Sequence, residues 1–105
     1  ENNELKEKSI DLVETFNYLA GITVKSIKKI VNGTITYIIV KGYRNEKDVI
    51  VIWRNKPDGF DPLKDKDFIE KEILKDDYDE ILVNGNSLVK DAKSIDEIFK
   101  TNMFG

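Results

Sequence analysis

Cysteine and histidine are both missing from this chain. Without cysteine there is no disulfide and no thiolate metal site, and without histidine there is no imidazole for proton transfer near neutral pH. No apolar run approaches the roughly 18–20 residues of a membrane span, and no signal-peptide pattern opens the chain. The expected setting is cytoplasmic. An excess of positive charge is missing too: 17 basic and 20 acidic side chains leave a net charge of -3. Nucleic-acid binding driven by bulk charge is therefore not expected, although a local basic stripe is compatible with this balance. There is no repeat and no low-complexity segment. The chain opens on Glu1, and its only methionine is Met103. The expectation is one domain, residues 1–105, cut from a longer protein.

What is present suffices for one modest core. Forty per cent of the 105 residues are hydrophobic, and a domain of this size buries roughly two-thirds of its unfolded surface. Residues 1–20 carry Leu5, Leu12, Val13, Phe16 and Leu19 at helical spacing, with Lys6, Lys8, Asp11 and Glu14 opposite and Gly21 as the C-terminal cap. Three strand-like segments follow: Ile22 to Val31, Thr34 to Val40, and Val49 to Trp53. Asn32-Gly33 marks the first hairpin, and the stretch from Lys41 to Lys47, with Gly42 and Asn45, the second. The unbroken apolar run Val49-Ile50-Val51-Ile52-Trp53 predicts a strand buried on both faces at the centre of the sheet. After the turn Lys56-Pro57-Asp58-Gly59, Asp61-Pro62 opens a helix predicted to reach about Lys75, with Leu63, Phe68, Ile69 and Ile73 on its apolar stripe. Ile81-Leu82-Val83 is a buried strand parallel to an earlier one. Ser94-x-x-Glu97 has capping-box spacing before a last helix lined by Ile95, Ile98, Phe99 and Met103. The predicted order is α-β-β-β-α-β-α: an α/β (α+β) domain with a mixed four-stranded sheet flanked by helices.

That order is also the common core of restriction-type nucleases, which hold Mg²⁺ with carboxylates beside a lysine on the third strand. Here the only acid near that position is Asp48, and Ile50 stands where the lysine belongs. A nuclease-like core would therefore be degenerate, and a solvated acid at a strand end is the simpler reading. Asp76, Asp77, Asp79 and Glu80 form an acidic cluster without the spacing of a calcium loop. Asn84-Gly85-Asn86-Ser87 follows a buried strand, where ligands often bind, but reads as a tight turn. Lys25, Lys28, Lys29, Lys41 and Arg44 make the first hairpin locally basic, with Tyr37 and Tyr43 near. Such a strip can follow a phosphate backbone, and an ordinary solvated sheet face accounts for the same residues. Trp53 reads as a core anchor and Arg54 as a buried ion-pair partner, with an outward reach to phosphate as the alternative.

The segments Asp11-Leu12-Val13-Glu14-Thr15-Phe16-Asn17-Tyr18-Leu19, Val51-Ile52-Trp53-Arg54-Asn55, Val83-Asn84-Gly85-Asn86, Ile98-Phe99 and Met103-Phe104 occur in an order that spans nearly the whole chain. Together they resemble the C-terminal region of type III-like restriction-modification adenine-specific DNA methyltransferases. The resemblance implies a parent that transfers a methyl group from S-adenosylmethionine to a flipped adenine in DNA. The family's Asp-Pro-Pro-Tyr and Phe-x-Gly motifs are absent: the only Asp-Pro, Asp61-Pro62, is followed by Leu63-Lys64. No catalytic or cofactor-binding residue carries over, and no metal ligand is assigned. What the resemblance implies is a non-catalytic C-terminal accessory domain. It would support the catalytic core, pair two modification subunits, dock a restriction subunit, or position DNA. Phe16 and Tyr18 on the outer face of the first helix and Met103 and Phe104 in the tail are the expected interface. A nuclease-like Mg-dependent domain and a stand-alone DNA-binding module are the rivals.

Overall fold

The computed structural model describes residues 12–97. Helix α1 covers 12–20. The strands are β1 (Thr23–Asn32), β2 (Ile35–Arg44), β3 (Lys47–Arg54), β4 (Glu80–Val83) and β5 (Ala92–Ser94). Helix α2 (Pro62–Phe68) lies between β3 and β4 and continues into a π-helical turn, Ile69–Ile73. The strands form one mixed sheet in the order β1-β2-β3-β4-β5. The first three make an antiparallel meander, and β4 and β5 run parallel to β3. The α+β class holds, with β3 central, but the sheet has five strands where four were expected.

Local chemistry accounts for the boundaries. Val13, Phe16, Asn17 and Ala20 are the buried residues of α1, a stripe at helical spacing. The helix ends as Gly21 turns left-handed at φ +70. Gly21 N–H then donates to Tyr18 O and Ile22 N–H to Asn17 O, which satisfies two carbonyls the helix leaves open. The first hairpin closes through Gly33-Thr34, one residue later than Asn32-Gly33 suggests, since Asn32 still pairs with Ile35. The second closes through Asn45 and Glu46, both left-handed, the backbone a tight type I′ turn needs.

Near its start β1 carries a bulge between Val24 and Ser26. Gly42 lies opposite, so close to the Thr23 carbonyl that a Cβ would collide with it. Only glycine admits that approach without backbone movement.

Asp61 caps α2, its Oδ1 accepting from Leu63 N–H at 3.0 Å, with Pro62 at the first helical position. The α-helical part stops at Phe68, short of the expected Lys75, and Leu74 N–H reaches five residues back to Ile69 O. Leu63 is not on the buried stripe: it faces solvent, and the buried face is Asp65, Ile69 and Ile73 at i, i+4 spacing. Ser94 Oγ accepts from Asp96 N–H, so the expected cap is present, but Ala92–Ser94 is also a strand, β5, against β4. Helical residues 95–97 follow. Leu5, Lys6, Lys8, Asp11, Ile98, Phe99, Met103 and Phe104 lie outside the described residues.

Two apolar layers sandwich the sheet. Phe16, Val40, Val51, Trp53 and Leu82 pack on the α1 side. Tyr37, Ile39, Ile50, Ile52 and Val83 meet Ile69 and Ile73 on the α2 side. Strand alternation assigns successive β3 residues to the two layers, and Val49 to Arg54 are all buried.

Candidate functional site

The carboxyl ends of β3 and β4 bring together two of the segments quoted for the family resemblance, Val51 to Asn55 and Val83 to Asn86. Arg54 lies on the α2 face of β3, directly across from Tyr37 of β2 in the strand register. The buried stripe of α2 brings Asp65 over the same spot. Arg54 Nε lies 3.0 Å from Asp65 Oδ2, close in distance but not aligned as a linear hydrogen bond. Both side chains are withdrawn from solvent, at 0% and 1% exposure. Tyr37 donates its hydroxyl to Asp65 Oδ1 at 2.8 Å and stacks on Phe68, ring centroids 4.8 Å apart. Burial, and then the bond to Asp65, raise the Tyr37 phenol above its ordinary value of 10.0.

The rest of the guanidinium is committed to the loop after β4. Nη1 donates to Asn84 O at 2.6 Å and to Asn84 Oδ1 at 3.1 Å, and Nη2 to Asn86 O at 2.6 Å. Asn84 returns the contact, its side-chain amide accepting from Arg54 N–H at 2.9 Å and donating to Arg54 O at 2.8 Å. That amide acts as one more ladder residue on the β4 side of β3. Asn55 does the same towards β2, accepting from Thr36 N–H at 2.7 Å and donating to Thr34 O at 3.3 Å. Arg54 is thus the buried ion-pair partner of the simpler reading, and its donors are turned inward.

A cleft of about 650 Å³ opens beside this cluster on the α1 face. Leu12, Val13, Ile38 and Trp53 give it apolar walls, and Asn84 and Asp96 add polar atoms. Trp53 packs edge-on against Phe16, centroids 5.7 Å apart, and its indole N–H has no hydrogen-bond partner among the described residues. Lys56 stands near the mouth, 5.9 Å from the Phe60 ring. Burial, and then the positive charge of Arg54, lower its ammonium pKa. The walls offer contact area and a few hydrogen-bonding atoms.

The basic residues and the interface candidates singled out in the sequence are dispersed. Lys25 and Lys41 border a recess at the opposite end of the sheet together with Asp48, Asp76, Asp77 and Tyr78. Lys25 Nζ lies 4.7 Å from the Tyr43 ring centre, and the Tyr43 hydroxyl raises its pKa. Lys28 and Lys29 are exposed neighbours on β1, so they point to opposite faces of the sheet. Arg44 pairs with Glu80 at 3.3 Å. Phe16 requires a correction: it is fully buried against Trp53 because it belongs to the inner stripe of α1, not the outer face. Tyr18 is strongly exposed.

Of the acidic cluster, Asp79 accepts from Asp48 N–H at 2.8 Å and thereby ties β3 to the approach to β4. Asp76 and Asp77 are exposed. Among the described residues no three acidic side chains converge to hold a cation. Ile50, which stands where a nuclease-like core would need its lysine, is fully buried on the α2 side. Asp65 went unnoticed in the sequence. Its spacing from Ile69 and Ile73 was the signal, since stepping back four residues from each in turn puts an acid on the buried face.

Comparison with protein-family models, with curated proteins and with solved structures finds no match for this chain.

Proposed function

We propose that this chain is a non-catalytic accessory domain of an adenine-specific DNA methyltransferase of a restriction-modification system. Its work is to hold the methylating core against another subunit, either a second modification subunit or a restriction subunit. The supporting observation is the interlock of Arg54 with Asn84 and Asn86. The Trp-Arg-Asn and Val-Asn-Gly-Asn segments quoted for the resemblance lie 30 residues apart, yet form one hydrogen-bonded unit. Motif residues spent on architecture accord with a domain that presents surfaces, not with one that carries out a reaction. S-adenosylmethionine and the flipped adenine belong to the parent's catalytic core on this reading, and the setting is the cytoplasm.

The test is assembly. The parent's reading frame should hold an Asp-Pro-Pro-Tyr upstream of Glu1. Removing these residues from the parent should abolish subunit association in sedimentation, while the remaining core still binds S-adenosylmethionine. A frame without that motif, or a truncated parent that assembles normally, would defeat the proposal. The nuclease reading predicts cleavage of DNA by the chain in Mg²⁺ or Mn²⁺, and such cleavage would replace the proposal with that one.

A further inference from the structure

We infer that the outer edge of β1 is a docking site for an extended acidic segment of a partner protein, which joins the sheet as an added strand. The strand is ten residues long and pairs with β2 without interruption from Ser26 to Asn32. Among the described residues nothing pairs with its other edge. An unpaired edge presents a row of N–H and C=O groups that templates a further strand. At the far side of the sheet β5 has only three residues, too short to serve that way. Apolar side chains on β1 are also left in water: Ile27 is 56% and Val31 63% exposed, and Val24 is exposed as well.

Charge selects the occupant. Between Thr23 and Asn32 there are three lysines and no acid, although the whole chain is net negative. A second copy pairing antiparallel through β1 would crowd lysine against lysine, which is unfavourable across a strand pair. Duplex DNA lying on one face of the sheet would meet Lys28 or Lys29 but not both, because they point to opposite faces. An added strand has side chains on both faces and meets both. The complement is therefore a strand with neighbouring acidic residues and with apolar side chains for Ile27 and Val31. Main-chain hydrogen bonds would supply affinity and side chains the selectivity, while the lysines reject self-pairing. The docking stands whether or not the parent is a methyltransferase.

The test titrates the whole chain with a short synthetic peptide of paired glutamates flanked by valines, followed by amide NMR and hydrogen exchange. Amides of β1 are expected to shift and gain protection. The same peptide N-methylated at alternate backbone positions, or with lysine for glutamate, is expected to bind at least about 10-fold more weakly. Lys28→Glu with Lys29→Glu, both on exposed positions, should weaken binding to a similar degree. Three results would overturn the inference: equal binding of the N-methylated peptide, a dimer of the free chain that protects β1, or a short DNA duplex that perturbs β1 where the peptide does not. Absence of any peptide binding counts against it equally.

Discussion

The end of β3 and the whole of β1 belong to one sheet, yet they handle charge in opposite ways. At the end of β3 a guanidinium is buried, paired with Asp65 and hydrogen-bonded to Asn84 and Asn86. Along β1 three lysines and three large apolar side chains face water. The buried charge is expensive unless every partner is present, so it specifies one arrangement of β3, β4 and α2. Of the exposed charges Lys25 leans on the Tyr43 ring, while Lys28 and Lys29 specify no internal contact among the described residues. A charge inside this domain therefore reports on architecture, and a charge on its edge reports on what the edge will accept.

The sharpest way to break that contrast is to remove one half of the buried pair. Arg54→Ala leaves Asp65 buried and unpaired and removes the donors to the β4 loop. It should lower unfolding free energy by about 3–5 kcal/mol, enough to unfold much of a domain this small. Asp65→Ala should fall in the same range. The double replacement Arg54→Met with Asp65→Leu should recover much of the loss, since removing both charges removes the desolvation penalty. Urea denaturation of the single and double variants decides. Singles that unfold at the wild-type midpoint would mean that the pair does not hold the architecture.

Asn84→Ala comes next. It removes the amide that bonds both Arg54 N–H and Arg54 O while leaving the charges in place. A loss of about 2 kcal/mol is expected, the cost of leaving buried main-chain groups unmet. Hydrogen exchange at Arg54 N–H should rise more than exchange at mid-β3 amides.

Tyr37→Phe removes a single hydroxyl from the same cluster and should cost about 1 kcal/mol. Its pH signature separates it from a packing defect. The phenol pKa is raised in the folded protein, so the unfolded chain loses that proton first as pH rises. The stability Tyr37 contributes is complete below pH 10.0 and is lost above it, as pH climbs towards the folded value. The wild type should therefore weaken more steeply than Tyr37→Phe in alkaline denaturation. Parallel curves for the two proteins would place the phenol outside the linkage.

The architecture was legible where neighbours in sequence decide it. Gly21 ending α1, Asp61-Pro62 opening α2 and the apolar run of β3 each need only a few residues to be read. The five-stranded sheet was not, because Ala-Lys-Ser has no strand pattern of its own and pairs only once β4 stands beside it. Nor was the site. Asp65 and Asp67 look alike within Lys64-Asp65-Lys66-Asp67, and only the phase of the helix against the sheet buries the first and exposes the second. Phe16 was assigned to the wrong face of α1 for the same reason: the inner stripe runs through Val13, Phe16, Asn17 and Ala20 once the sheet shows which side is covered.

The smallest effect expected is at β1. Ile27→Thr and Val31→Thr keep a β-branched side chain on an exposed strand and remove apolar surface that is for the larger part already in water. Each should change stability by no more than about 0.5 kcal/mol, the ordinary range for surface sites. Buried isoleucine and valine would respond differently, since truncation there leaves a cavity or an unmet hydroxyl. A loss well beyond that range in the isolated chain would mean that another part of the chain covers Ile27 and Val31. The edge would then be an internal seam, and the contrast with the end of β3 would vanish. Unchanged stability together with weaker binding of the acidic peptide would separate the two regions cleanly, one holding the fold and the other facing a partner.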